Sequence, residues 1–178
     1  MPDKIIYMPS WRFVMAHHSK KPDGEVLDAT GIFKYHTSYR IDFKIVSRDE
    51  YQDRLLRNEG VVFQPRWSDV GYNFLVEQVL GFYHIIVGRP MTKRGAHCPH
   101  GGMNHRAVSI CYVGDYDEIE PPTEMLEVSA KRIIVPVMAM RRIPLENIVG
   151  HRDYNKTKTC PGEKFDLALF REIIKKYM

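Results

Sequence analysis

The sequence predicts an α/β domain in which a central mixed β-sheet is flanked by helices. Three observations carry that expectation. Val108-Ser109-Ile110-Cys111-Tyr112-Val113 is a short, almost unbroken apolar run, the pattern of a strand buried on both faces. Met125, Leu126, Val128, Ile133, Ile134, Val137 and Met138 recur instead at helical spacing. The two kinds of segment interleave along the chain, and 178 residues suit a single domain with a sizeable core.

The elements follow in order. Arg12 to Ser19 reads as a strand entering the core and ending in a polar loop, Lys20 to Gly24, with a turn at Pro22-Asp23-Gly24. Asp28-Ala29-Thr30 is a helix start before Ile32, Phe33 and Tyr35-His36. Residues 39–65 carry a weaker signal: a short charged helix over Arg48 to Asn58, a turn at Glu59-Gly60, then extended Val61-Val62-Phe63. From Tyr72 the chain alternates as a strand, with Phe82 to Val87 as its hairpin partner across Leu80-Gly81. Arg89 to His105 reads as loop, and Ala107 to Gly114 as the buried strand. Thr123 is the expected N-cap of the long helix, which Pro136 should kink. Asn147 to Val149 is a short strand. Asp166 caps a final helix to Tyr177 whose inner face is Leu167, Leu169, Phe170, Ile173 and Ile174.

Composition excludes several classes. The formal net charge is +4 and the pI near 8.9, mildly basic, yet no run of Lys and Arg is dense enough for a nucleic-acid arm. Cys98, Cys111 and Cys160 are too few and too scattered for a disulfide framework, and they suit a reducing compartment. Met1 to Ser10 lacks the pattern of a signal peptide, so synthesis in the cytoplasm is expected. The most apolar segment, Ile133 to Met140, is too short to span a bilayer, so no membrane insertion is expected.

The chemistry gathers at strand ends, where α/β folds place their sites. His17 closes the first strand, His151 follows the last, and Cys160 lies nine residues beyond His151 on a polar loop closed by Pro161-Gly162. Imidazole nitrogen and thiolate are the donors zinc prefers. Three such ligands leave a fourth tetrahedral position open, the pattern of catalytic zinc. At such a site the ion lowers the pKa of water toward about 7, and amide hydrolysis follows naturally. His97-Cys98-Pro99-His100 is a second possible metal cluster; His36 and His84 read as packing residues.

The chain resembles the zinc-dependent N-acetylmuramoyl-L-alanine amidases of the bacteriophage lysozyme and peptidoglycan-recognition-protein type. The matching segments are Val14 to Ser19, Asp69-Val70-Gly71-Tyr72-Asn73-Phe74, Gly95-Ala96-His97 through Asn104, Val108 to Gly114, and Gly150-His151-Arg152-Asp153 through Cys160-Pro161-Gly162. They occur in the family's order over roughly residues 12–175. The resemblance implies a single amidase domain over residues 1–178, with a zinc site at strand ends in a surface groove. It implies zinc held by His17, His151 and Cys160, with His18 not a ligand. Tyr72 matches a tyrosine that assists catalysis beside the zinc water. Lys158 matches the catalytic lysine of phage amidases, where recognition proteins often carry threonine. His97 and Asn104 would border the groove and bind the muramyl peptide.

Departures are visible too. The loop from His151 to Cys160 is one residue longer than usual, which leaves Lys156 as a second candidate for the catalytic lysine. Residues 40–66 form an insertion that could line or cover the groove. Cys111 stands where some relatives carry a catalytic glutamate. The expected partner is peptidoglycan, met by a monomer as a phage or prophage endolysin. It would act on the cell wall after release through a holin-type pore. A muropeptide-binding module without turnover, or a zinc peptidase acting within the stem peptide, are the alternatives.

Overall fold

The computed structural model describes residues 9–20 and 29–178. The turn at Pro22-Asp23-Gly24 and the Asp28 helix start lie outside the described residues.

The central sheet is built from β1 (Phe13–His18), β5 (Phe74–Val79), β6 (Phe82–Val87), β7 (Ala107–Tyr112) and β8 (Ile148–Gly150). These five strands lie in the order β6-β5-β7-β1-β8. β1 runs parallel to both β7 and β8, β5 parallel to β7, and only the β5–β6 hairpin is antiparallel. The expected mixed sheet is therefore present. β7 at its centre is buried along its whole length, as its almost unbroken apolar run implies.

One face of the sheet is covered by helices. The long predicted helix comprises α4 (Thr123–Ser129), a π-helical turn over Ala130–Ile134, and α5 (Val135–Arg141). Pro136 has no N–H, and its ring would crowd the carbonyl four residues back in a regular α-helix. A widened turn just before it relieves both problems, so the expected kink takes the form of a π turn. Thr123 proves to be the first helical residue, with Pro122 at the N-cap and no side-chain cap bond.

The C-terminal α7 (Leu167–Lys175) is capped as expected: Asp166 accepts hydrogen bonds from the amides of Ala168 and Leu169. Phe170, Ile173 and Ile174 reach the core, where Phe170 packs edge-on against Phe165 and Tyr112. Leu169 does not belong to that face and is 54% exposed. At 3.6 residues per turn it stands roughly 40° beyond Ile173, the edge of the buried stripe, and roughly 140° from Ile174.

Beside the main sheet, residues 39–64 fold as an antiparallel satellite. α1 (Ala29–Thr37) leads into β2 (Tyr39–Ile41), β3 (Lys44–Val46), α2 (Arg48–Leu56) and β4 (Phe63–Gln64), with strand order β3-β2-β4. The two short strands β2 and β3 are too brief to show a period in the sequence. Arg40 ties the satellite down. It is buried, its guanidinium lies 4.5 Å from the Tyr35 ring centre and 5.6 Å from that of Trp67, and it donates to the Tyr35 carbonyl.

The other face of the sheet carries Phe13, Met15 and, at its end, His17. It is covered by the 89–106 segment, which includes a short α3 (Met103–Arg106) inside the predicted loop. His84, expected to pack, is exposed on edge strand β6 instead. Among the described residues no helix is long and apolar enough to cross a membrane.

The two sides of α7 should respond very differently to truncation. Phe170→Ala should cost about 3–5 kcal/mol of unfolding free energy, the range for emptying a packed aromatic site. Leu169→Ala should cost under about 0.5 kcal/mol, as surface changes do. Urea denaturation of the two variants checks this.

Candidate metal centre

Period-two alternation in β1 divides the two adjacent histidines. His17 turns to the face that carries Met15, and His18 to the helical side. There His18 Nδ1 accepts from the Tyr116 amide at 3.2 Å and lies 3.9 Å from the Asp115 carboxylate.

The pairing of Ala16 with Gly150 sets the end of β8 beside the end of β1. The next residue, His151, opens a one-turn helix, α6 (His151–Tyr154), rather than continuing as loop. Its ring centre lies 4.8 Å from that of His17. Asp153 accepts from the Gly150 amide and so caps the turn that aims His151.

The return of the chain to Cys160 is braced by residues that the sequence reading did not single out. The Arg152 amide donates to the Cys160 carbonyl at 2.7 Å, and its guanidinium binds the carbonyls of Thr159, Gly162 and Phe165. Asp117 accepts from the Thr159 hydroxyl at 3.0 Å and the Glu163 amide at 2.9 Å, and pairs with Lys20 at 2.9 Å. Gly162 has φ +125°, and a Cβ there would lie 2.4 Å from the Tyr116 backbone, so only glycine closes this loop. The Arg152-Asp153 pair directly after His151 was the available signal; Asp117 offered none.

The outcome is one cluster. Donor atoms of His17, His151 and Cys160 all lie within 4.8 Å of one another, and Cys160 Sγ is 3.5 Å from His17 Nδ1. It is the one such cluster of His, Cys and carboxylate groups among the described residues. The alternative around Cys98 is absent from it: the Cys98 thiol is buried against Met15 and Met103 and points to the His100 carbonyl. The donor set fits zinc. A buried Nε2 of His151 has no hydrogen-bond partner in the protein, as a nitrogen reserved for an ion would not.

Burial governs the charge state. It holds His17 well below the usual imidazole value, helped by the neighbouring His97, His151 and His18. Burial, with Lys158 and His100, lowers His151 to about 4. Burial lowers His97 to about 3 and pushes the Cys160 thiol up to about 12. Neutral imidazoles are ready to ligate. The thiol needs a cation to ionise it, so metal uptake would release a proton.

Beside the cluster lies a cleft of about 390 Å³, bordered by Lys158, Tyr72, Lys20 and His97 as well as the three donors. Lys156 is not part of this lining. The Tyr72 ring centre lies 5.1 Å from that of His17, and burial raises its phenol well above the usual range. Tyr72 is thus a hydrogen-bond donor, not a ready base.

Asn73, next to it, is fully buried and satisfied. Its Oδ1 accepts from the amide and hydroxyl of Ser109, and its Nδ2 donates to the Arg89 carbonyl. His36, more than a packing residue, accepts from the Gly71 amide and stacks on Trp67 at 4.6 Å. A second cavity of about 730 Å³ shares Lys20 and Tyr72 with the first and is walled by Tyr35, His36, Phe43 and Cys111. Asn104, expected at the groove, has its Oδ1 committed to the amides of His97 and Cys98, where it staples its own loop.

Comparison with known proteins gives the family. The profile of the N-acetylmuramoyl-L-alanine amidase family matches residues 7–163, so the chain belongs to that family. Peptidoglycan-recognition protein LB of Drosophila melanogaster is 34% identical over 107 residues, 60% of this chain and 42% of that protein. Peptidoglycan-recognition protein 1 of Holotrichia diomphalia is 31% identical over 108 residues, 60% of this chain and 49% of that protein. The chain thus spans about half the length of these curated relatives.

Among solved structures, the amidase LysC from Clostridium intestinale URNW has a TM-score of 0.59 at 18% identity, covering 95% of this chain and 88% of that one. A mutant Drosophila PGRP-LB in complex with tracheal cytotoxin has a TM-score of 0.60 at 25% identity, covering 94% and 82%.

The depressed histidines set an acid limit. The unfolded chain protonates His36, His97 and His151 near pH 6.5, whereas the folded chain holds them neutral to about 4, 3 and 4. Their contribution is intact above pH 6.5 and is lost as pH falls toward 4. Metal-free protein should therefore show a denaturation midpoint that drops steadily over that interval; a flat midpoint would contradict the assigned charge states.

Proposed function

We propose that this chain is a zinc-dependent amidase that cleaves the bond between N-acetylmuramic acid and L-alanine in peptidoglycan. The observation that carries the reading is the convergence of His17, His151 and Cys160 on one point at the edge of a cleft that Tyr72 and Lys158 also border. His17, His151 and Cys160 would hold zinc, which supplies Lewis-acid polarisation and acidifies water when bound.

The chain's own groups do the rest. Tyr72, protonated because it is buried, orients the attacking water or the scissile carbonyl as a donor. Lys158 offers positive charge to the oxygen that becomes anionic as the carbonyl turns tetrahedral. The second cavity, walled in part by Phe43 of the satellite sheet, extends the cleft and would receive flanking parts of the substrate. The lysine at position 158 also supports a phage or prophage lytic role, with access to the wall provided by another protein's pore.

A non-catalytic binding module is the second reading, favoured by the recognition proteins among the relatives. The intact ligand set argues against it, since binding alone needs no thiol in the cleft. End-group analysis of digested peptidoglycan separates the readings. A new L-alanine amino terminus without new reducing sugar marks the amidase. A new internal amine marks a peptidase, and retention without turnover marks the module.

Variants test the roles. Cys160→Ser and His17→Ala should each lose bound zinc and turnover together. Lys158→Ala should keep zinc and lower kcat about 10²–10³-fold, the scale for removing one oxyanion donor. Full turnover by a metal-free Cys160→Ser protein would sink the mechanism.

A further inference from the structure

His17 has two ring nitrogens, and only one can face an ion. Nδ1 lies 3.5 Å from Cys160 Sγ, and Nε2 lies 3.0 Å from His97 Nδ1. Across the His97 ring, its Nε2 lies 3.3 Å from the Ala107 carbonyl oxygen. That oxygen can only accept. The proton of neutral His97 therefore sits on Nε2, and Nδ1 presents a lone pair. Two ring nitrogens 3.0 Å apart share one proton, which then belongs to His17 Nε2. The hydrogen bonds run one way: His17 Nε2–H donates to His97, and His97 Nε2–H donates to Ala107.

Resting on the zinc reading above, we propose that His97 is a positioning residue: it holds His17 in the Nε2–H tautomer, with Nδ1 as the ligand atom. A histidine ligand that donates its other N–H to a fixed acceptor is both oriented and made more basic. Here the acceptor is a second imidazole, itself anchored to the sheet through Ala107. With both nitrogens engaged by protein, His97 has no ring nitrogen left to hydrogen-bond a muramyl peptide.

The backbone is built around this ring. The His97 amide donates to Asn104 Oδ1 at 2.7 Å, and the Gly95 amide to the Asn104 carbonyl at 2.8 Å. A Cβ at Gly95 would lie 2.4 Å from the His97 ring, so glycine leaves the space the ring occupies. Asn104, too, thus acts on the site through His97. The reverse proton arrangement needs a charged His97, which would donate to His17 Nε2 and turn the His17 proton toward the thiol. The buried ring, with His151 and Arg89 near it, disfavours that charge.

The test uses the full chain. Long-range ¹H–¹⁵N imidazole spectra of the metal-free wild type should show His17 protonated at Nε2. Zinc affinity, from competition with a chromogenic chelator, should fall about 10–100-fold in His97→Ala. His97→Asn, whose Oδ1 can stand where Nδ1 stood, should recover most of the loss. A wild-type His17 protonated at Nδ1 overturns the proposal, as does a His97→Ala protein that binds zinc within about twofold of wild type. Should His97→Ala not fold, the wild-type tautomer decides. These outcomes bear on His97 whether or not the wild type cleaves an amide, and the enzymatic reading is judged separately by end-group chemistry.

Discussion

The parallel pairing of β1 with β8 is the constraint on which the rest of the site depends. Val14, Met15 and Ala16 sit opposite Ile148, Val149 and Gly150, three residues that are all buried. A slip of one residue would invert every β1 side chain, sending His17 to the helical core and His18 to the cleft. The register is protected because Val14 and Ala16 belong to the core under α4, α5 and α7, while Met15 belongs to the cluster beneath the 95–106 segment. Packing that has no chemistry in it therefore decides which histidine is offered to an ion, and places His151 within reach of it.

The same burial that specifies the register sets the electrostatics. Three imidazoles crowd one another, with Lys158 and Lys20 nearby on the cleft wall. Cations and low polarity disfavour imidazolium, so the rings stay neutral. The Cys160 thiol stays protonated because burial penalises its anion in the same way. A site arranged this way gains most from a divalent cation, which supplies the positive charge that a buried thiolate needs beside it.

What was legible in the sequence follows from periodicity and from order. The long helix, the buried β7 and the β5–β6 hairpin each repeat their signal over enough residues to be read. The three expected ligands were legible through the family resemblance, and they come together because β1 and β8 end side by side. Strands β2 and β3, three residues each, are too short to carry a period. Leu169 reads inward by its chemistry, although it stands just outside the stripe of Phe170, Ile173 and Ile174. The role of Arg152 was signalled only by its place beside His151, and that of Asp117 not at all. Arg152 acts through backbone carbonyls, which leave no pattern in side-chain sequence. Asp117 joins the Glu163 amide to the side chains of Thr159 and Lys20, all distant from it in the chain.

The loop between His151 and Cys160 shows how such unseen contacts matter. Asn155 folds it back on itself: its Oδ1 accepts from the amide and hydroxyl of Thr157, and its carbonyl accepts from the Lys158 amide at 3.1 Å. Asp117 then pins Thr159 from the other side. With both neighbours of Lys158 held, Lys158 lines the cleft and Lys156 is left outside that lining. The lysine's reach is thus set by a turn and a carboxylate, not by the count of residues from either ligand.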